Sequence, residues 1–138
     1  MNGLHILAEF HDCAGERRLL QDADALAALC RDACSGAGLE VVAAAFHQFP
    51  GAGATGALVL AESHLAIHTW PELDAASFDL YVCNHSRDNR AAAEAAYDSL
   101  RAALRPRRIV RREVMRGEIA PGANATDGVI ERRLTTID

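Results

Sequence analysis

Two short strand-like runs, "ALVLAE" and "HLAIHTW", stand nearly end to end with only the Glu62-Ser63 step between them. So tight a step belongs to antiparallel neighbours, because parallel strands need a crossover of roughly a dozen residues or more. The second run alternates apolar and polar residues, the period of a strand with one drier face. The chain is thereby committed to a sheet.

The same period recurs on both sides. "LHILAEF" sets Leu4, Ile6, Ala8 and Phe10 against His5, Leu7, Glu9 and His11, and "SFDLYVCNH" sets Phe78, Leu80 and Val82 against Asp79, Tyr81 and Cys83. "LEVVAAAFHQF" reads as a strand running into "PGAGATG", a glycine-rich turn, and "RRIVRREVM" reads as the last strand. Two segments break the pattern. "DADALAALCRDACSGAG" spaces Leu26, Leu29, Cys30 and Ala33 as a helix, with Asp22 and Asp24 near its start and Gly36 or Gly38 to stop it. "RDNRAAAEAAYDSLRAAL" puts Ala93, Ala96, Tyr97, Leu100 and Leu104 on one helical face, and Pro106 ends it. The expected fold is an α+β, two-layer sandwich: a largely antiparallel sheet with helices on one face, packing as a homodimer through the other.

At 138 residues this is a single domain, 1–138. No apolar run approaches the roughly 20 residues of a membrane helix, and "MNGLHILAEFHD" lacks the basic start of a signal peptide, so the cytoplasm is the expected location. A net charge of -5 argues against nucleic acid as a partner. Cys13, Cys30, Cys34 and Cys83 show no CxxC spacing and are expected to be reduced, the first three as small buried apolar residues. "RPRRIVRR", with Arg107, Arg108, Arg111 and Arg112, reads as a solvated strand face or dimer-rim charge.

The chemistry is concentrated in "AESHLAIHTWPE". On a strand His64 and His68 lie about 13 Å apart, too far to share one zinc ion. One of them with Cys83 and His85 could still build a site; the plainer reading is that both histidines satisfy local hydrogen bonds, and no metal is expected. Ser63 lacks the flanking glycines of a hydrolase nucleophile, its neighbours two residues away being Ala61 and Leu65. Attack on its own preceding carbonyl, that of Glu62, needs no substrate pocket.

"ESHLAIHTWPE" followed by "FDLYVCN", with "FHQF" and "GATG" upstream and "LHILAEFHDC" at the start, resembles the small bacterial and archaeal S-adenosylmethionine decarboxylases, made as inactive proenzymes. The likeness covers roughly residues 3 to 118. It implies autocatalytic serinolysis: Ser63 attacks the Glu62 carbonyl, loss of the Ser63 α-proton splits the chain, and the new terminus becomes a pyruvoyl group, a cofactor built from the chain itself. The implied products are a β chain, 1–62, and an α chain beginning at Ser63. The implied activity is decarboxylation of S-adenosylmethionine held as a Schiff base, which supplies aminopropyl groups for spermidine and other polyamines.

The implied roles also make chemical sense residue by residue. His68 is a base for the Ser63 α-proton, since imidazole titrates near neutrality. Thr55, where the family commonly has serine, offers a hydroxyl to the oxyanion of the acyl shift. Cys83 returns a proton to the decarboxylated carbon. Phe49 could stack on adenine or be an ordinary core phenylalanine, and Glu72 could accept from ribose hydroxyls. Asn84 stands where the family usually has glycine, and Ala52 where relatives carry a larger residue. Two alternatives remain: a pyruvoyl-dependent ornithine or arginine decarboxylase, with Asp12 or Glu9 for the distal cation, and an uncleaved, non-catalytic partner subunit.

Overall fold

The computed structural model of the protein describes residues 2–117. The run "RGEIAPGANATDG", whose glycines and proline read as a loop, lies outside the described residues except for Arg116 and Gly117. Strands β1 (Gly3–Cys13), β2 (Val41–Gln48), β3 (Ala54–Leu60), β4 (Ser63–Trp70), β5 (Ala75–Cys83) and β6 (Pro106–Arg116) form one sheet in the order β2-β3-β4-β5-β1-β6. Every neighbouring pair is antiparallel. Helices α2 (Ala23–Gly36) and α3 (Arg90–Leu104), with the short α1 (Arg18–Gln21), complete the α+β arrangement expected from the strand and helix periods.

Alternation decides which side chains meet the helices. Ile6 and Phe10 of β1, Leu58 of β3, Leu65 and Ile67 of β4, and Leu80 and Val82 of β5 are fully buried with Leu26, Leu100 and Leu104 of the helices. Side chains of this size and depth each contribute roughly 1.5–3 kcal/mol. Phe10, Phe78 and Tyr97 pack together, with Phe10 edge-on to Phe78 at 5.0 Å and to Tyr97 at 5.7 Å. The five residues expected on the buried face of α3 are the five it buries. Cys30 and Cys34 are buried in α2, which pushes their thiols up to about 12 and about 11, so they pack as inert apolar groups.

The glycine-rich turn is shorter than its sequence suggests, because Ala54, Thr55 and Gly56 already belong to β3. Gly56 is required there by packing: a Cβ on it would fall 2.1 Å from the Phe46 ring. The side chain of Asp22 caps α2 by accepting from the amides of Asp24 and Ala25. Gln48 ties the same helix to the loop after β2, accepting from the Ala23 amide at 2.7 Å and donating to the Gly53 carbonyl at 3.2 Å. Arg111 turns toward α3, donating to Glu94 at 3.0 Å with its guanidinium 4.3 Å from the Tyr97 ring centre, whereas Arg107, Arg108 and Arg112 are exposed.

The second face of the sheet carries His5, Leu7, Glu9 and His11 of β1, Val59 of β3, His64, His68 and Trp70 of β4, and Ser77, Asp79 and Tyr81 of β5. No helix of the described residues is long and apolar enough to cross a membrane.

Candidate active site

Strand β4 carries candidate functional side chains at both ends. At its start, pairing of Leu60 with Ser63 leaves Ala61 and Glu62 as a two-residue turn. Glu62 has φ 64, a left-handed conformation that costs a residue other than glycine about 1 kcal/mol. The Ser63 hydroxyl donates to the Ala61 carbonyl at 3.1 Å, and the Glu62 carboxylate accepts from the Ser86 hydroxyl at 3.3 Å.

Cys83 closes β5 next door. Continuing the register one step beyond the His64–Tyr81 pair sets Ser63 opposite Val82, the residue before Cys83. The thiol is buried, and the Cys83 carbonyl accepts from the Asn89 side chain at 2.8 Å. Asn84 takes no positive φ, so its place in the sequence is not explained by a left-handed backbone. Instead its side chain accepts from the Asn89 amide at 2.9 Å and its own amide donates to the Asn2 carbonyl at 2.9 Å, which fixes the chain directly after Cys83.

At the far end of β4, His68 pairs across the ladder with Thr55, and the Thr55 hydroxyl lies 2.5 Å from His68 Nδ1. Phe49 follows β2 with 46% of its surface exposed, edge-on to His47, so it is no core residue. Glu72 sits in the short 3-10 turn Pro71–Leu73 that follows β4. Phe49, Thr55, His68, Trp70 and Glu72 line one cleft of about 420 Å³, within the size range of small-molecule sites.

Four of the residues singled out from the sequence are thus brought together, while Ser63 and Cys83 are not with them. Five residue steps along the strand separate Ser63 from His68, about 16 Å. Within one chain His68 is not placed to take the Ser63 α-proton, nor Thr55 to reach the Glu62 carbonyl.

Between the two ends lies a cluster that the sequence reading missed. Asp79 Oδ2 accepts from His5 Nε2 at 2.9 Å and from His64 Nε2 at 2.8 Å. Burial pushes the Asp79 carboxyl up, but hydrogen bonds from the two imidazoles, and their charges, hold it below the ordinary carboxylate value. One donor atom from each of the three residues lies within 4.8 Å of the others. Both rings tilt against Tyr81, whose phenol is raised by burial and by the neighbouring Cys83. Trp70 was also missed as a cleft wall, although an aromatic residue of the same strand parity as His68 was the available signal.

Comparison with known proteins adds to this geometry. Residues 4–117 match the family described as S-adenosylmethionine decarboxylase. An S-adenosylmethionine decarboxylase proenzyme of Thermosipho melanesiensis is 35% identical over 116 residues, covering 84% of this chain and 85% of that protein. A protein of the same name from Clostridium kluyveri is 44% identical over 81 residues, covering 59% of this chain and 63% of the relative, so that alignment spans less than two thirds of the relative's length. The crystal structure of the adenosylmethionine decarboxylase from Aquifex aeolicus VF5 is similar with a TM-score of 0.77 at 32% identity, covering 89% of this chain and 97% of that one.

Proposed function

The chain belongs to the S-adenosylmethionine decarboxylase family, and from that premise we propose that it is a proenzyme that cuts itself between Glu62 and Ser63 and then decarboxylates S-adenosylmethionine for polyamine synthesis. The observation that carries the reading is the turn at the start of β4, where Ser63 directly follows a left-handed Glu62. Strain stored at a peptide bond is relieved when that bond breaks. Ser63 Oγ bonds to the Glu62 carbonyl carbon, the C–N bond breaks, and an ester replaces the amide. Removal of the Ser63 α-proton then expels the Glu62 carboxylate from Cβ, leaving dehydroalanine at position 63, which hydrolyses with loss of ammonia.

The residues fit the group so formed: it sits at the end of an internal strand, one register step from a buried thiol. When present, the pyruvoyl carbonyl takes the substrate amine and accepts the electrons left by departing carbon dioxide. Cys83 holds the proton that the product carbon receives. Phe49 and Trp70 offer faces to an adenine ring and a sulfonium cation, and Glu72 accepts from ribose hydroxyls. The relatives' names favour S-adenosylmethionine over ornithine or arginine.

The separation along β4 calls for a second copy. Leu7, Val59 and Trp70 leave apolar surface on the sheet face that also bears Glu9 and Asp79 among Arg108, Arg112 and Arg116, a mixture of both charges that suits pairing with itself. Two sheets packed face to face about a two-fold axis that runs across the strands put the Ser63 end of one copy at the His68 end of the other. Each site then takes Ser63 and Cys83 from one copy and Thr55, His68, Phe49 and Glu72 from its mate. The proposed location is the cytoplasm.

Mass spectrometry of the purified protein tests the reading: two fragments divided before Ser63, with a ketone on the second that reacts with a hydrazine, and carbon dioxide released from S-adenosylmethionine but not from ornithine or arginine. A single intact chain refutes it.

A further inference from the structure

We propose that Asp79, braced by His5, is a positioning residue that holds the freshly cut chain end in place through His64. The proposal rests on the reading that the chain is cut before Ser63. Before the cut, position 63 is held by the chain on both sides. Afterwards it is a terminus, and termini fray unless tied down. The first side chain inward from that terminus is His64, and its Nε2 donates to Asp79 Oδ2 at 2.8 Å.

The same oxygen accepts from Nε2 of His5 at 2.9 Å. In the ladder His64 and His5 flank Tyr81 from opposite sides, and Asp79 is the next residue of β5 on that face. The clamp therefore spans three adjacent strands. It also joins the two cleavage products, because His5 belongs to the amino-terminal fragment while His64 and Asp79 belong to the other.

The surroundings leave the rings little freedom. His5 and His64 meet edge to face at 5.9 Å, and each lies 5.8 Å from the Tyr81 ring. Arg116 approaches His5 Nδ1 at 3.4 Å. A guanidinium can only donate, so this contact makes Nδ1 the acceptor and keeps the proton on Nε2, the nitrogen facing Asp79. The carboxyl, held below its ordinary value, stays an acceptor throughout the neutral range. None of these three side chains is needed to bring Ser63 Oγ to the Glu62 carbonyl, so the clamp acts on turnover and not on the cut.

The test is Asp79→Asn in the full-length protein, measured for fragment masses, hydrazine-reactive ketone, KM and kcat. Expected are complete cleavage, full ketone content, unchanged KM, and kcat lowered about tenfold or more, since small misplacements of a reacting group are costly. His5→Gln, which keeps the His64–Asp79 bond, should lower kcat in the same sense but less. It also serves if Asp79→Asn fails to fold. Wild-type kcat in either fully cleaved variant overturns the clamp while leaving the proposed function standing. A variant that stays uncleaved while the wild type is cut overturns it too, by moving Asp79 into processing. Wild-type activity lost in EDTA and restored by zinc replaces the hydrogen-bonded clamp with a metal-held one and overturns it as stated. A wild type that never cleaves removes the proposed function first, and the clamp with it.

Discussion

The two ends of β4 are built on opposite principles. At Ser63 the backbone is the strained partner: a left-handed Glu62 in a two-residue turn, with few side-chain bonds to hold it. At His68 the backbone is an ordinary ladder and the side chains do the organising, with Thr55 against the imidazole and a cleft bounded by Phe49, Trp70 and Glu72. One end is suited to making a reactive group and the other to receiving a ligand. In the proposed face-to-face dimer a single strand can carry both, because each end is completed by a different copy of the chain.

The sharpest way to break this contrast is Ser63→Ala, which should abolish cleavage altogether and leave one band on denaturing electrophoresis. Next comes complementation. His68→Ala alone should stay uncleaved, yet when co-expressed with Ser63→Ala its own chain should be cut, because its Ser63 meets the intact His68 of the other chain. No cutting in the mixture would return both residues to one chain. Cys83→Ala should cleave normally and lose turnover by about 10²-fold, the usual scale for a missing proton donor, in a steady-state assay. Glu62→Gly relieves the left-handed conformation, so the precursor should gain about 1 kcal/mol in denaturant unfolding and process several-fold more slowly.

The smallest effect concerns pH. Because the Asp79 carboxyl is held below its unfolded value, it contributes stability that is present above about pH 4 and is lost as pH falls through the lower folded value. The wild type should therefore lose more stability than Asp79→Asn across that acidic range in thermal melts. Equal losses would mean that the carboxylate is no better placed in the folded protein than in the unfolded one.

The periods of the chain revealed the sheet and both long helices because each element buries one face, and burial leaves a period in the sequence. The four-residue α1 has only Leu20 buried, too little to show a period. The start of β3 was hidden for a different reason: Gly56 looks like a turn residue and is in fact the space beneath Phe46. Ser63, His68 and Cys83 were legible as a motif, yet the motif carried no distances. Strand spacing alone separates His68 from Ser63, a step the sequence reading had already taken for His64 and His68 when it excluded a shared zinc. The Asp79 cluster was out of reach, since His5 and Asp79 are 74 residues apart and meet only through strand pairing.

The strand order has one more consequence. With the proposed cut before Ser63, read across the sheet, β2 and β3 would belong to the first product, β4 and β5 to the second, β1 to the first again and β6 to the second. The halves are interleaved like two hands with fingers laced, so the nick cannot let them drift apart without tearing open internal ladders. Continuity of the polypeptide is needed to weave the fabric but not to keep it. Once unfolded in denaturant, a chain cut there would face a second-order search that its precursor never met, and its recovery should slow on dilution while the precursor's does not.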